Sequence, residues 1–133
     1  MITVRHKGQF RMEITPEHEQ AQTFTDVEKS HGGYEIYPTP GGMLAEALAA
    51  CALTTACMGA EKRGVDTSRF YAVVENIEYD DHNNCVASIT IHFHFSSDVE
   101  ESMRNRLEAY TKRACTVGNS LTVRKDFVYS YDA

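Results

Sequence analysis

Four cysteines and six histidines are the side chains of this 133-residue chain with chemistry beyond packing and charge. Two of the cysteines stand apart. Cys51 lies in the middle of an alanine-rich stretch, and Cys115 opens the segment Cys115-Thr116-Val117-Gly118-Asn119. A thiol attacks a peroxide or a disulfide as its thiolate, so its electrostatic surroundings decide whether it is a reagent. Cys115 follows a predicted helix at a break where free backbone amides can point at it, and the positive end of a dipole there would favour a thiolate. Cys51 is well past the first turn of its own helix, where the dipole has faded. A reactive Cys51 therefore needs a cation from elsewhere in the fold. Positions three, four and seven residues away share its face: Leu44, Ala47, Leu48, Thr54, Thr55 and Met58. Only Thr54 and Thr55 among them could hydrogen-bond a sulfur or a bound oxygen. The same facts fit a small, inert core residue, and composition alone leaves both readings open. Cys57 points off the Cys51 face and Cys85 opens a strand at a turn, so both read as inert.

Metal chemistry finds little support. No C-x-x-C pair occurs, and no cysteine has a histidine at zinc-finger spacing. His92 and His94 alternate along a strand and share a face, but spacing indicates no third ligand, so they read as part of a solvated face. Glu75, Glu78, Asp80 and Asp81 read as a solvated edge. Neither a metal nor an organic cofactor is expected.

The element that must position Cys51 is the stretch Thr39 to Gly64, TPGGMLAEALAACALTTACMGAEKRG. Thr39 can cap its first amides and Pro40 suits the first helical position. Gly64 ends it in a left-handed conformation, with Lys62 and Arg63 against the negative end of the dipole. No charge interrupts Ala47 to Ala60, and a helix apolar all round is a buried helix. Before it, residues 2–14 read as one extended segment bent at Gly8, Thr15 to Glu17 as a turn, 20–28 as a weaker strand and Tyr34 to Tyr37 as a short one. After it, Ser68 to Asp80 is a strand with Tyr71, Val73, Ile77 and Tyr79 on one side. Asp81-His82-Asn83-Asn84 is a turn. Cys85 to Ser96 returns with Ala87, Ile89, Ile91, Phe93 and Phe95 on one face and Ser88, Thr90, His92 and His94 on the other. Asp98 and Glu101 form a capping-box pattern for an amphipathic helix reaching about Ala114, built on Val99, Met103, Leu107 and Tyr110. Leu121 to Tyr131 is the last strand. Strands, buried helix, hairpin, amphipathic helix and final strand make an α+β fold of one domain, residues 1–133.

The net charge of -6 argues against nucleic acid as a partner. The apolar helix reads as too short to span a bilayer, which needs about 20 apolar residues. The charged N-terminus lacks the apolar segment of a signal peptide. A cytoplasmic protein with reduced thiols and no membrane partner is expected. A fully enclosed helix asks much of so short a chain, which points to a homodimer.

Pro40 to Ala56, PGGMLAEALAACALTTA, followed by Cys115 to Leu121, CTVGNSL, resembles the OsmC/Ohr family of organic hydroperoxide reductases. The family pattern is a proline-initiated helix whose apolar run ends in Ala-Ala-Cys, then a second cysteine in a Cys-Pro-Val-Ser-Asn-like segment. Here Thr116 stands for the proline and Gly118 for the serine, while Val117 and Asn119 match. The resemblance implies an intertwined homodimer, with an antiparallel sheet wrapped around a buried central helix and each active site near the interface. It implies that Cys51 is the peroxidatic thiol and Cys115 the resolving thiol, joined in a disulfide during turnover. It implies organic hydroperoxides as substrates and a dithiol, typically lipoyl-linked, as reductant. Two departures mark a divergent member. The Ohr branch places a glutamate after the helix-starting proline, where this chain has Gly41, and Glu46 turns away from Cys51. The family also uses an N-terminal arginine to activate the thiolate; Arg5 and Arg11 are candidates by region, and Lys29 or His31 could stand in. A second reading follows from the missing glutamate: a non-catalytic dimer of the same fold that binds a small apolar or electrophilic molecule in the interface pocket.

Overall fold

The computed structural model describes residues 1–18 and 21–133, so the first residue of the strand expected over 20–28 lies outside the described residues. The chain divides into two compact units, Met1–Leu44 and Ala45–Ala133. The boundary falls inside the long helix.

The first unit is a three-stranded antiparallel sheet followed by a loop. Strand β1 (Thr3–His6) pairs with β2 (Met12–Thr15), which pairs with β3 (Thr23–Thr25). The single bent segment expected over 2–14 is a hairpin instead. Gly8, Gln9 and Phe10 all take positive φ, which reverses the chain completely. After β3 comes one 3₁₀ turn, Lys29–His31. The short strand expected at Tyr34 to Tyr37 does not form. The backbone amides of Ile36 and Tyr37 donate to the carboxylate of Asp26, both at 3.0 Å, and are unavailable to a ladder. Gly33 packs where any side chain would strike the carbonyl of Val27, its Cβ falling 2.2 Å from that oxygen.

Helix α1 runs from Pro40 to Glu61. Thr39 caps it as expected, its Oγ1 accepting from the Gly42 amide at 3.0 Å, and Gly64 follows it at φ +79°. Within the second unit Ala45, Leu48, Ala52, Ala56 and Ala60 are buried. Ala47, Ala50, Thr54 and Met58 are exposed, so a single chain covers one face of the helix and leaves the other open. Length and composition alone would let α1 cross a membrane, contrary to the sequence expectation: an 18-residue window has mean hydropathy 1.5. Its small residues serve a different end here, close packing against a sheet and a second helix.

That sheet has the order β4 (Tyr71–Asp80), β5 (Cys85–Phe95), β6 (Arg124–Tyr131). The β4–β5 hairpin is antiparallel, whereas β6 runs parallel to β5. The central strand obeys its alternation from Ile89 on, with Ile89, Ile91, Phe93 and Phe95 fully buried, but not before it: Ala87, expected on that face, is exposed and unpaired at a second register shift, and Ser88, expected on the wet face, is buried. Strand β4 does not. A register shift between Val74 and Asn76 inserts Glu75 as an unpaired residue. A bulge exchanges the faces beyond it. Tyr71 and Val73 therefore face outward, while Ala72, Val74 and, past the bulge, Ile77 reach the core. Helix α2 (Glu101–Arg113) adds Leu107 and Met103 to the same core. Its expected capping box is absent. Glu100 occupies the cap position without a side-chain bond, and the Asp98 amide donates to Ser96 Oγ. Gly59 marks the closest approach of α1 to α2: a Cβ there would lie 2.7 Å from the Tyr110 ring.

Candidate functional site

A short helix, α3 (Thr116–Asn119), follows α2 and begins at Cys115. The first turn of any helix leaves amides without intrahelical partners. Here two of them go to sulfur. Gly118 N–H donates to Cys115 Sγ at 3.3 Å and Val117 N–H donates to Cys51 Sγ at 3.5 Å. Consecutive amides thus bring together, as neighbours, thiols from residues far apart in the chain. Neither thiol is in a disulfide. Cys115 is fully buried and Cys51 partly so.

Burial pushes the Cys115 thiol up from its ordinary pKa, the Gly118 amide opposes this, and Cys51 adds to the rise. The sequence had suggested that amides would favour a Cys115 thiolate; desolvation outweighs them. Cys115 is a protonated thiol at neutral pH. Around Cys51 the threonines are not aimed at sulfur. Thr54 Oγ1 donates to the Ala50 carbonyl and Thr55 Oγ1 to the Cys51 carbonyl. Gly118 has a steric role as well: an added Cβ would fall 3.2 Å from Cys115 Sγ and 3.5 Å from Leu48 Cδ1. Cys57 has its pKa raised, chiefly by burial, and Cys85 is exposed on its strand.

Sequence reasoning missed Lys125. Its Nζ donates to the carbonyls of Gly118 at 2.8 Å and Leu121 at 2.6 Å, tying down the far end of the turn that carries both amides. A basic residue a few positions after a short helix was the available signal.

The four candidate cations all lie in the first unit. Arg5 sits on β1 opposite Glu13, and Lys29 and His31 are on the exposed 3₁₀ turn. His31 Nδ1 is 3.3 Å from Glu28. Arg11 is different. Its Nε and Nη2 hold the two oxygens of Asp26 at 2.8 and 2.9 Å, and its guanidinium lies 4.4 Å from the Tyr34 ring centre and 4.7 Å from that of Tyr37. Asp26 is wholly buried, and the Arg11 hydrogen bonds hold its carboxyl far below the usual carboxylate range. Nothing in the sequence singled out Asp26, which sat unremarked in a weak strand. No group of three or more metal-binding side chains occurs among the described residues.

A family model described as OsmC-like protein matches residues 30–129. No curated protein matches the chain in sequence. Solved structures do match in fold. A protein from Psychrobacter arcticus, named for an osmotic stress and detoxification response, superposes with TM-score 0.89 at 18% identity, over 97% of this chain and 94% of that one. The OsmC like protein from Mycoplasma pneumoniae gives 0.84 at 18% identity, over 100% and 96%. The organic hydroperoxide resistance protein OhrB of Bacillus subtilis gives 0.69 at 13% identity, over 98% and 96%. These likenesses establish an architecture shared across very different sequences. The family model spans most of the chain and includes both thiols, and on that ground the protein belongs to the OsmC-like family.

Proposed function

We propose that the chain is a single OsmC-like domain that reduces organic hydroperoxides through Cys51 and Cys115. The observation that carries this reading is the pair of adjacent amides, Val117 and Gly118, each donating to one of two neighbouring sulfurs. Cys51 as thiolate attacks the terminal oxygen of ROOH. The O–O bond breaks, ROH leaves after protonation, and Cys51 becomes a sulfenic acid. Cys115 is the resolving partner: its sulfur attacks the Cys51 sulfur as it gives up its proton, the sulfenic hydroxyl leaves with that proton as water, and a disulfide forms. A dithiol of the lipoyl-linked kind then exchanges with the disulfide and is itself oxidised to a cyclic disulfide. The open face of α1, with Ala47, Ala50, Thr54 and Met58, is where a second copy would complete the burial of the helix in a homodimer. The cytoplasm, which keeps thiols reduced, is the compartment this cycle needs.

A second reading has one feature in its favour. An open cavity of about 510 Å³ lies between α1 and α2, with Met103, Leu107 and Tyr110 on its apolar side and Arg63, Arg106 and Arg113 among its walls. Neither Cys51 nor Cys115 lines it, so a non-catalytic binding protein could use it without any thiol chemistry. One experiment separates the readings. The reduced protein is given a stoichiometric organic hydroperoxide, and the disulfides are mapped by mass. A Cys51–Cys115 link with loss of peroxide supports the reductase; free thiols with peroxide unconsumed overturn it in favour of the binding protein.

A further inference from the structure

The outer face of the second sheet carries a group of side chains that the thiol chemistry does not use. His92 on β5 holds Glu75 Oε1 through Nδ1 at 2.7 Å and Ser130 Oγ through Nε2 at 2.6 Å. The three residues come from three adjacent strands. Glu75 is the unpaired residue of the β4 bulge, and a bulge re-aims the side chain it inserts. Ser130 pairs in register with His94, which makes it the diagonal neighbour of His92 across the parallel β5–β6 ladder.

The partners settle the tautomer. An ionised carboxylate only accepts, so Nδ1 of the neutral ring carries the proton toward Glu75. Nε2 is then the lone pair, and the Ser130 hydroxyl must be the donor to it. A hydroxyl donating to a base that a third group orients is the arrangement of an activated nucleophile. The ring is also held in plane. His94 stacks on it with centroids 4.1 Å apart, Tyr71 stacks on His94 at 4.4 Å, and Asp132 holds His94 Nδ1 at 2.8 Å. His92 has a side chain only 21% exposed and Ser130 is half-buried, so the hydrogen bonds are partly shielded without being sealed from solvent.

We propose that Glu75, His92 and Ser130 form a serine nucleophile site on this sheet face, which takes the acyl group of small esters. Ser130 Oγ attacks the carbonyl carbon while His92 Nε2 accepts the hydroxyl proton. The C–O bond to the leaving group breaks, and that proton leaves with the alcohol. Water then attacks the acyl-serine, His92 takes one of its protons and returns it to Ser130, and the carboxylic acid departs. No oxidation state changes. The triad lies on the outer face of a sheet, so the substrates are small and activated esters, and turnover is slow.

The test uses the full chain and a fluorophosphonate, which a triad serine attacks at phosphorus with loss of fluoride, followed by mass mapping of the adduct. The expected result is an adduct on Ser130 that forms at least ~100-fold more slowly in His92→Gln, the low end of what a general base contributes. Glu75→Gln slows it less, because it disturbs only the orientation of the ring. Hydrolysis of p-nitrophenyl acetate by Ser130→Ala serves as a second readout, and should fall at least ~100-fold on the same ground. Labelling confined to other residues, labelling of Ser130 that His92→Gln and Glu75→Gln both leave unchanged, or wild-type hydrolysis by Ser130→Ala each overturns the proposal. Circular dichroism of each variant reports folding, and the direct adduct on unmodified protein decides the matter should a variant fail to fold.

Discussion

Two pairs of neighbouring side chains, one in each unit, are held in opposite ways. Arg11 and Asp26 are locked. Two guanidinium bonds, two backbone amides and two aromatic rings converge on them, and every oxygen of the buried carboxylate is satisfied. Cys51 and Cys115 are held by one long amide contact each, at 3.5 and 3.3 Å. The charge pair must be over-determined, since a buried carboxylate without its partners would be very costly. A sulfur is a weak acceptor and loses little when its contact breaks. The thiols are therefore free to shift by the small amount that the proposed chemistry, a bond to oxygen and then to each other, would require. Rigidity sits where charge is buried, and slack sits where the proposed reaction would change bonds.

The sharpest way to test that contrast is to remove each thiol. In Cys51→Ser, peroxide consumption should fall to the rate of the uncatalysed reaction, as expected when the attacking group itself is lost. In Cys115→Ser, one equivalent of peroxide should still be consumed and a sulfenic acid should persist on Cys51, trappable by dimedone and visible by mass. Turnover with a dithiol would then be largely lost. If Cys115→Ser turned over as fast as the wild type, the two sulfurs would not be working as a pair.

The next effect concerns the locked pair and acid. Asp26 binds its proton less tightly in the fold than in the unfolded chain, because Arg11 and two amides favour its charged form. The unfolded state therefore takes up protons first as pH falls. The stability this supplies is complete above the ordinary carboxylate range of about 4 and drains away below it. Asp26→Asn should flatten that part of the profile, read as the difference between variant and wild-type urea midpoints from pH 2 to 6. Taking the difference matters because Asp66 and Asp80 are also lowered. The Ile36 and Tyr37 amides should exchange hydrogen on the order of tenfold faster or more in the variant, since each would lose a charge-assisted bond. Unchanged exchange would mean that the loop does not depend on this carboxylate.

What the sequence disclosed, and what it hid, follows the same physical line. The β5 alternation from Ile89 on was legible because one face is completely dry there, and Thr39, Pro40 and Gly64 punctuate α1 in ways that local chemistry dictates. The α+β class followed from those elements. The thiols could be matched to a family pattern but not placed in space, since only tertiary packing sets Cys51 beside α3. The Glu75 bulge was invisible because a single inserted residue leaves composition unchanged while turning Ile77 inward, away from the side of Tyr71 and Val73. Asp26 was invisible because its partners, Arg11, Ile36 and Tyr37, are spread on either side of it along the chain. The capping box at Asp98 failed because Ser96 Oγ took the Asp98 amide instead.

The smallest expected effect tests whether the slack around the thiols is tuned. Gly118 stands where the family pattern has serine, and a Cβ there would fall 3.2 Å from Cys115 Sγ and 3.4 Å from Cys115 Cβ. Gly118→Ala would gain up to ~1 kcal/mol of helix propensity in α3. Crowding the sulfur would cost a comparable amount, toward the low end of the ~1–3 kcal/mol for overpacking. The two nearly cancel, so the urea midpoint should move little. The thiol geometry has no such cancellation, because the added methyl pushes Cys115 and leaves Cys51 alone. Disulfide formation after a single equivalent of peroxide should therefore slow while peroxide consumption in that first turnover stays as fast. A variant that forms the disulfide at the wild-type rate would show that Cys115 has room the glycine does not provide, and the slack would then lie in the Lys125-tethered turn as a whole.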